Sequence, residues 1–243
     1  MAAAIVRAAR VGIDSEVLEV GPGLGVLTRL LARRARRVVA VELDSQLAQT
    51  LREELPPETV EVITADILTF EPSTAFHRPY TVVANLPYHI TSPAVRRLLG
   101  SGPPFAQRLV LMVQAEVAER ISARTGAMSA LAVTIQMQAR VKVLRRVKSE
   151  AFYPRPKVDS AVLVLEPLPD AERAISREEL NEFTVLVQAG FKQPRKTLTN
   201  SLADGLGVPR AQAVERLERT GIDPVLRPQA LTLDDWVRLY RTV

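Results

Sequence analysis

Cysteine is absent and histidine nearly so, with His77 and His89 the two in 243 residues. The first absence excludes a disulfide framework and any thiolate metal site. The second leaves two imidazoles, too few to hold zinc by themselves, so no metal is expected. No apolar run reaches the roughly 18–20 residues needed to cross a bilayer. The start, Met1 to Arg10, lacks the continuous apolar segment of a secretory signal. Arg7 and Arg10 would suit a presequence, but a first strand near Glu16 leaves it little room, and the expected location is the cytoplasm. An apolar content of 47% with mean hydropathy +0.06 predicts a soluble globular chain of one or two domains.

Charge is modest in total, +5, and uneven in placement. Between Arg140 and Lys157 stand Arg140, Lys142, Arg145, Arg146, Lys148, Arg155 and Lys157, against Glu150 alone. That stripe suits a polyanion such as RNA, where phosphate contacts dominate affinity; a strand edge kept soluble by Lys and Arg is the plainer alternative. A second cluster, Arg29, Arg33, Arg34, Arg36 and Arg37, reads as the polar face and basic end of a helix.

Short β-branched runs alternate with amphipathic stretches through the first two-thirds of the chain. Strands are predicted at 16–20, 37–42, 59–64, 80–85 and 108–114, and helices at 26–35, 45–54, 92–99 and 115–123. This alternation predicts an α/β fold, a Rossmann-like, mostly parallel sheet with helices on both faces. A helix at 129–138 then leads into strands at 139–147 and 159–165, which are expected to pair antiparallel at one edge. Beyond Pro167-Leu168-Pro169-Asp170 the patterns are all helical: 178–190, 196–206, 210–219 and 231–240. The expected organisation is therefore a domain over 1–170 and a small all-helical one over 171–243.

Glu19-Val20-Gly21-Pro22-Gly23-Leu24-Gly25 joins the first strand to the first of those helices. Without side chains, Gly21, Gly23 and Gly25 let a ligand approach the backbone. Glu42 ends the second strand, where a carboxylate can take both hydroxyls of a ribose. NAD and S-adenosylmethionine share that ribose. Val26 stands where a dinucleotide fingerprint has its third glycine, and Glu19 disfavours a pyrophosphate while tolerating an ammonium or sulfonium, so the methyl donor is favoured. Asp66, after the third strand, is placed either to accept from an adenine amino group or to cap a turn.

Asn85-Leu86-Pro87-Tyr88 closes the fourth strand, on the side where open α/β sheets bind ligands. The exocyclic nitrogen of adenine is a poor nucleophile because its lone pair is delocalised into the ring. Two acceptors, the amide oxygen of Asn85 and the carbonyl of Leu86, can hold its N–H bonds and turn the lone pair out of conjugation. Pro87 stiffens the turn, and Tyr88 offers a ring for the base, worth about 1–3 kcal/mol per stacked base. Asn and Pro are also ordinary turn residues.

Five ordered segments resemble the ribosomal RNA adenine dimethyltransferase family: Val17–Thr28, Val83–Pro93, Val113–Arg120, Ala151–Val162 and Phe191–Leu202. The likeness extends over nearly the full chain and is nearest to the small-subunit branch, which dimethylates two adjacent adenosines in a hairpin near the 3′ end of small-subunit rRNA. The resemblance implies S-adenosylmethionine as cofactor, with Gly21, Glu42, Asp66 and Asn85 as contacts. It implies a target-adenine clamp of Asn85, Leu86 and Tyr88, with Phe152 packing on a flipped base from the other side. It further implies S-adenosylmethionine binding by 1–170 and RNA binding by 171–243. Arg145, Arg146, Lys148, Arg155, Lys157, Arg195 and Lys196 are the candidate RNA contacts. The family's upstream Gln-Asn-Phe-Leu segment, which lids the cofactor, has no counterpart before Met1, and weak cofactor binding is expected of the chain as it stands. Its expected partner is small-subunit rRNA or an immature small subunit, its expected state a monomer. The rivals are a large-subunit methylase of the macrolide-resistance type, disfavoured by Leu86 within the clamp and by Arg195-Lys196-Thr197-Leu198, and a non-catalytic RNA-binding assembly factor.

Overall fold

The computed structural model describes residues 1–152 and 155–242. They form two compact units: 1–118 with 140–167, and 119–139 with 168–243.

The first unit holds a seven-stranded sheet. In chain order its strands are β1 (Glu16–Val20), β2 (Arg37–Glu42), β3 (Val60–Thr64), β4 (Tyr80–Asn85), β5 (Ala106–Gln114), β6 (Ala139–Val147) and β7 (Ser160–Pro167), and across the sheet they run β3-β2-β1-β4-β5-β7-β6. The first five pair in parallel. β7 returns antiparallel to β5, with Leu109 opposite Leu165 and Gln114 opposite Ser160. The central strands read as unbroken apolar runs because both faces are covered. On one face Val17, Val38, Ala40, Val83 and Val110 pack with Ile5 and Val6 of α1 (Ala2–Ala9), Leu27 and Leu31 of α2 (Val26–Ala32), and Ala48 and Leu51 of α3 (Ser45–Glu54). The alternate residues Leu18, Val39, Val82 and Leu109 are equally buried, as are Val95 and Leu98 of α4 (Thr91–Gly100). Asp44 starts α3 by accepting from the N–H groups of Gln46 and Leu47.

The strand boundaries at 16–20, 37–42, 80–85 and 139–147 agree with the sequence reading. Arg37 does not extend the helical arginine cluster: it lies in β2, pairs with Glu61, donates to the Ala75 carbonyl and covers the Phe76 ring. β6 and β7 are neighbours at one edge of the sheet, as expected, with β7 the strand next to β5.

The second unit is helical. α7 (Leu180–Gly190), α8 (Leu198–Leu206), α9 (Arg210–Arg219) and α10 (Leu233–Tyr240) enclose Phe183, Leu186, Leu202, Leu217 and the fully buried Trp236. A capping box between Thr232 and Asp235 sets the start of α10. One correction to the sequence organisation concerns 119–139, the end of α5 (Ala115–Ile121) and all of α6 (Ala130–Gln136). Met128, Ala132, Val133 and Met137 pack into the helical core, so an excursion from the middle of the chain completes the second unit. Proximity in sequence had placed it in the first.

Candidate active site

The carboxyl ends of β1, β2, β3 and β4 border one cleft of about 520 Å³, where parallel sheets bind ligands. Gly21 lines it from the end of β1, Glu42, Leu43 and Asp44 from β2, Ala65 to Leu68 from β3, and Pro87, His89 and Ile90 from the turn after β4.

The glycine loop is built on positive φ angles, 65° at Gly21, 55° at Gly23 and 73° at Gly25. At Gly25 space also decides, because a Cβ there would meet Arg29 Nη1 at 2.7 Å and Leu51 Cδ2 at 2.8 Å. Glu42 holds the loop in place. One of its carboxylate oxygens accepts from Gly23 N–H at 3.1 Å and the other from Asp44 N–H at 3.0 Å. A carboxylate has about four acceptor positions, so both oxygens keep capacity for a ligand hydroxyl. Asp66 caps a turn, as the sequence allowed, with its Oδ1 accepting from Leu68 N–H at 2.9 Å, and it lines the cleft.

Beneath the loop Glu19 is fully buried, and neither of its oxygens finds a hydrogen-bond partner. The neighbouring Thr28 hydroxyl is likewise unpartnered; it lies near enough to favour the ionised carboxylate but outside bonding geometry. Burial pushes the Glu19 carboxyl up to about 8; Thr28 opposes the shift, and the negative charge of Glu42 adds to it. Orphaned buried acceptors are rare. Glu19 lies directly before Val20 and Gly21 of the cleft lining, and an ammonium or other donor reaching beneath the loop would satisfy these oxygens.

At the end of β4 the Asn85 side chain is exposed. Leu86 is buried and its N–H donates to the Met112 carbonyl at 3.1 Å, which secures the turn to β5. Tyr88 remains 36% exposed while its hydroxyl lies 3.2 Å from Ser160 Oγ, so the ring is anchored at one end and open on its surface. Ser160 was not singled out from sequence, although it lies within the Ala151–Val162 segment; His89 and Ile90, which line the cleft, were missed too. No local signal marks a serine whose partner is 72 residues away.

Phe152 is half-buried and packs against the α1–α3 face of the sheet core; it does not line the cleft. Among the basic residues, Arg155 is paired with Glu150 and donates to Ser149, and Lys148 is paired with Asp159 at 3.0 Å. Arg145, Arg146 and Lys157 are exposed in the first unit, and Arg195 and Lys196 in the second, on the segment between α7 and α8. Among the described residues there is no cluster of His, Asp and Glu fit to hold a metal, and no helix is long and apolar enough to cross a membrane.

Comparison with known proteins agrees with this geometry. The chain is 39% identical over 239 residues to the ribosomal RNA small subunit methyltransferase A of Dehalococcoides mccartyi, spanning 97% of this chain and 81% of that protein. It is 40% identical to the protein of the same name from Moorella thermoacetica, spanning 98% and 86%. Among solved structures, a dimethyladenosine transferase from Plasmodium falciparum superposes with a TM-score of 0.80 at 26% identity, covering 98% of this chain and 93% of that one. A 23S rRNA methyltransferase, ErmE, superposes with a TM-score of 0.73 at 32% identity, covering 99% and 95%. The sequence profile of the ribosomal RNA adenine dimethylases matches residues 1–243, and the chain belongs to that family.

Proposed function

We propose that the protein transfers methyl groups from S-adenosylmethionine to the N6 amino group of two adjacent adenosines in a hairpin near the 3′ end of small-subunit rRNA. One observation carries the reading: Pro87, within the Asn85–Tyr88 turn, and His89 and Ile90, directly after it, line the cofactor cleft. A base held by Asn85 and Tyr88 thus lies beside whatever occupies the cleft.

When bound, the cofactor supplies an electrophilic methyl on a sulfonium that leaves as a neutral thioether, so no strongly basic residue is required. Glu42 would accept from ribose hydroxyls, Asp66 from the adenine amino group of the cofactor, and Glu19 from its ammonium. Gly21 and its neighbours keep the backbone low enough for close approach. Asn85 Oδ1 and the Leu86 carbonyl accept from the target N6–H groups, and the proton released on methylation passes to water. Tyr88 supports the base on one face. Phe152 is the proposed support on the other, and reaching it requires the aromatic to turn from its packing against the core.

The second unit, with Arg195 and Lys196, grips rRNA, as do Arg145, Arg146, Lys148, Arg155 and Lys157 on the first. The protein acts as a monomer on immature small subunits, which places the reaction in the cytoplasm. The test is transfer of tritiated methyl to unmethylated small and large subunits offered in parallel. Dimethyladenosine in the rRNA, lost with Asn85→Ala, is the expected result. Label in large-subunit RNA instead, or equal label in the variant, would overturn it.

A further inference from the structure

A second cleft, of about 380 Å³, opens at the other end of the sheet. Arg10, Arg108, Arg140 and Lys142 line it, and Glu166 is the one acid in its lining. The four cations come from three places in the chain: the end of α1, the start of β5 and the first half of β6. Protection of an edge strand by positive charge accounts for Arg140 and Lys142. It does not account for Arg10 and Arg108 converging on the same cleft.

Arg108 is the fixed member. Its side chain is 13% exposed, it pairs with Glu166, and its Nε donates to the Ala8 carbonyl at 2.8 Å. That pair consumes the acid, and Arg10 is left 4.0 Å from the same carboxylate with 75% of its side chain exposed. Arg10 is also set apart by its backbone. It caps α1 at φ 53°, and among the described residues it is the one non-glycine at positive φ. Glycine is the usual residue at that position, and a side chain there costs about 1–2 kcal/mol. Strain of this kind is retained where the residue has work to do. With Glu166 taken by Arg108, Arg10 and Lys142 leave a surplus of two positive charges at the concavity, which an anion with several oxygens stabilises, and guanidinium groups match phosphate in shape and hydrogen bonding.

We infer that this cleft holds a backbone phosphate of the rRNA substrate, a positioning contact remote from the methylated base. Arg108 is four residues along β5 from Met112, the neighbour of Asn85. At roughly 3.3 Å per residue the contact lies some ~13 Å or more from the clamp along the sheet. A phosphate held there orients the RNA without reading its sequence. The inference rests on the rRNA reading above.

The test compares the wild-type chain with Arg10→Gly/Lys142→Gln in binding unmethylated small-subunit rRNA at several salt concentrations, with thermal melting and S-adenosylmethionine affinity as controls. Neither residue belongs to the catalytic or cofactor machinery, and glycine relieves the strain at position 10. The expected result is melting no lower than that of the wild type, unchanged cofactor affinity, rRNA binding weakened about five- to thirty-fold at low salt, and a salt slope shallower by about 0.7–0.9, the value for one phosphate. Equal affinity and slope in the two proteins would overturn the inference while leaving the methylation reading intact. A wild-type chain that binds no rRNA would overturn both. Inorganic phosphate, titrated against the amide spectrum, distinguishes the source: shifts at Arg10 and Lys142 without any change in the RNA slope would make this a free-anion site and overturn the RNA assignment.

Discussion

The backbone N–H of Gly23 donates to the Glu42 carboxylate at 3.1 Å, so the acid at the end of β2 is a strut for the glycine loop before any ligand arrives. The second oxygen accepts from Asp44 N–H and ties the same carboxylate to the start of α3. Replacing Glu42 by Ala therefore removes the strut as well as the proposed acceptor for ribose. Both bonds are part-buried, so losing each costs about 0.5–1.5 kcal/mol. Glu42→Ala should lower the melting temperature and weaken S-adenosylmethionine binding together. Glu42→Gln, whose amide nitrogen opposes one of the two N–H donors, should give intermediate losses. Calorimetry on the three proteins checks this; an alanine variant that melts like wild type would show that Glu42 serves the ligand alone.

Glu19 makes stability depend on pH in a defined direction. Its folded-state acidity is weakened from 4.5 to about 8, so between those values the folded protein holds a proton that the unfolded chain has lost. Its contribution is intact below about pH 4.5, erodes as pH rises through that window and levels off above about 8. Glu19→Gln should be more stable than wild type at pH 7.5 in the absence of cofactor, and the gap should close towards pH 5. The same substitution should weaken S-adenosylmethionine binding if Glu19 meets the ammonium as proposed, because the amide still accepts a hydrogen bond but carries no negative charge. Melting curves across the window, with and without cofactor, read both effects. A gap that stays constant with pH would mean that Glu19 is ionised throughout.

Asn85→Ala should lower the methylation rate by about 10²–10³-fold, the loss typical of removing one preorganised transition-state partner. Because Asn85 is exposed and Leu86 keeps its bond to the Met112 carbonyl, the fold should be untouched. rRNA affinity should stay within about two-fold by filter binding, since phosphate contacts supply most of it. A parallel loss of binding and rate would recast Asn85 as a docking residue.

Tyr88 and Ser160 should behave as one unit. Tyr88→Phe and Ser160→Ala each break the same 3.2 Å contact, so the double variant should be no worse than either single one in kcat/KM. Tyr88→Ala also loses the stacking surface and should cost a further ~1–3 kcal/mol in base recognition. Additive losses in the double variant would dissociate the hydroxyl contact from the placement of the ring.

The helical unit has its own test. A Cβ at Gly205 of α8 would stand 2.5 Å from Ala189 Cα of α7, a contact between backbones that no rotamer change can relieve. Gly205→Ala should destabilise the protein by about 1–3 kcal/mol, the range for overpacking. Circular dichroism melting would show it; an unchanged melting curve would mean that the two helices separate freely.

Much of the first unit was legible because its information is local. Val, Ile and Leu runs bounded by turns mark β1, β2, β4 and β6 to the residue, and a glycine loop followed by an acid marks a nucleoside cleft whatever else the chain does. The excursion at 119–139 was not legible. Its apolar face has helical spacing, and nothing in that spacing says whether it lies against Val110 or Phe183. The subunit preference also lies outside the fold, since a 23S rRNA methyltransferase superposes over nearly the whole chain. The sequence identities of 39–40% to small-subunit enzymes are what separate the two.

By itself the sequence determined the strand and helix types, the order in which the glycine loop and the Asn85–Tyr88 turn occur, and the residues proposed to touch the reacting atoms. Those properties depend on side-chain chemistry and near neighbours. Only the tertiary structure decided that Glu42 braces Gly23, that Ser160 holds Tyr88, that Glu19 has no partner, and that Arg10 and Arg108 meet β6 in one cleft. Each of these joins residues distant in the chain, and whether such groups meet is settled by how the sheet and its helices bury their apolar faces.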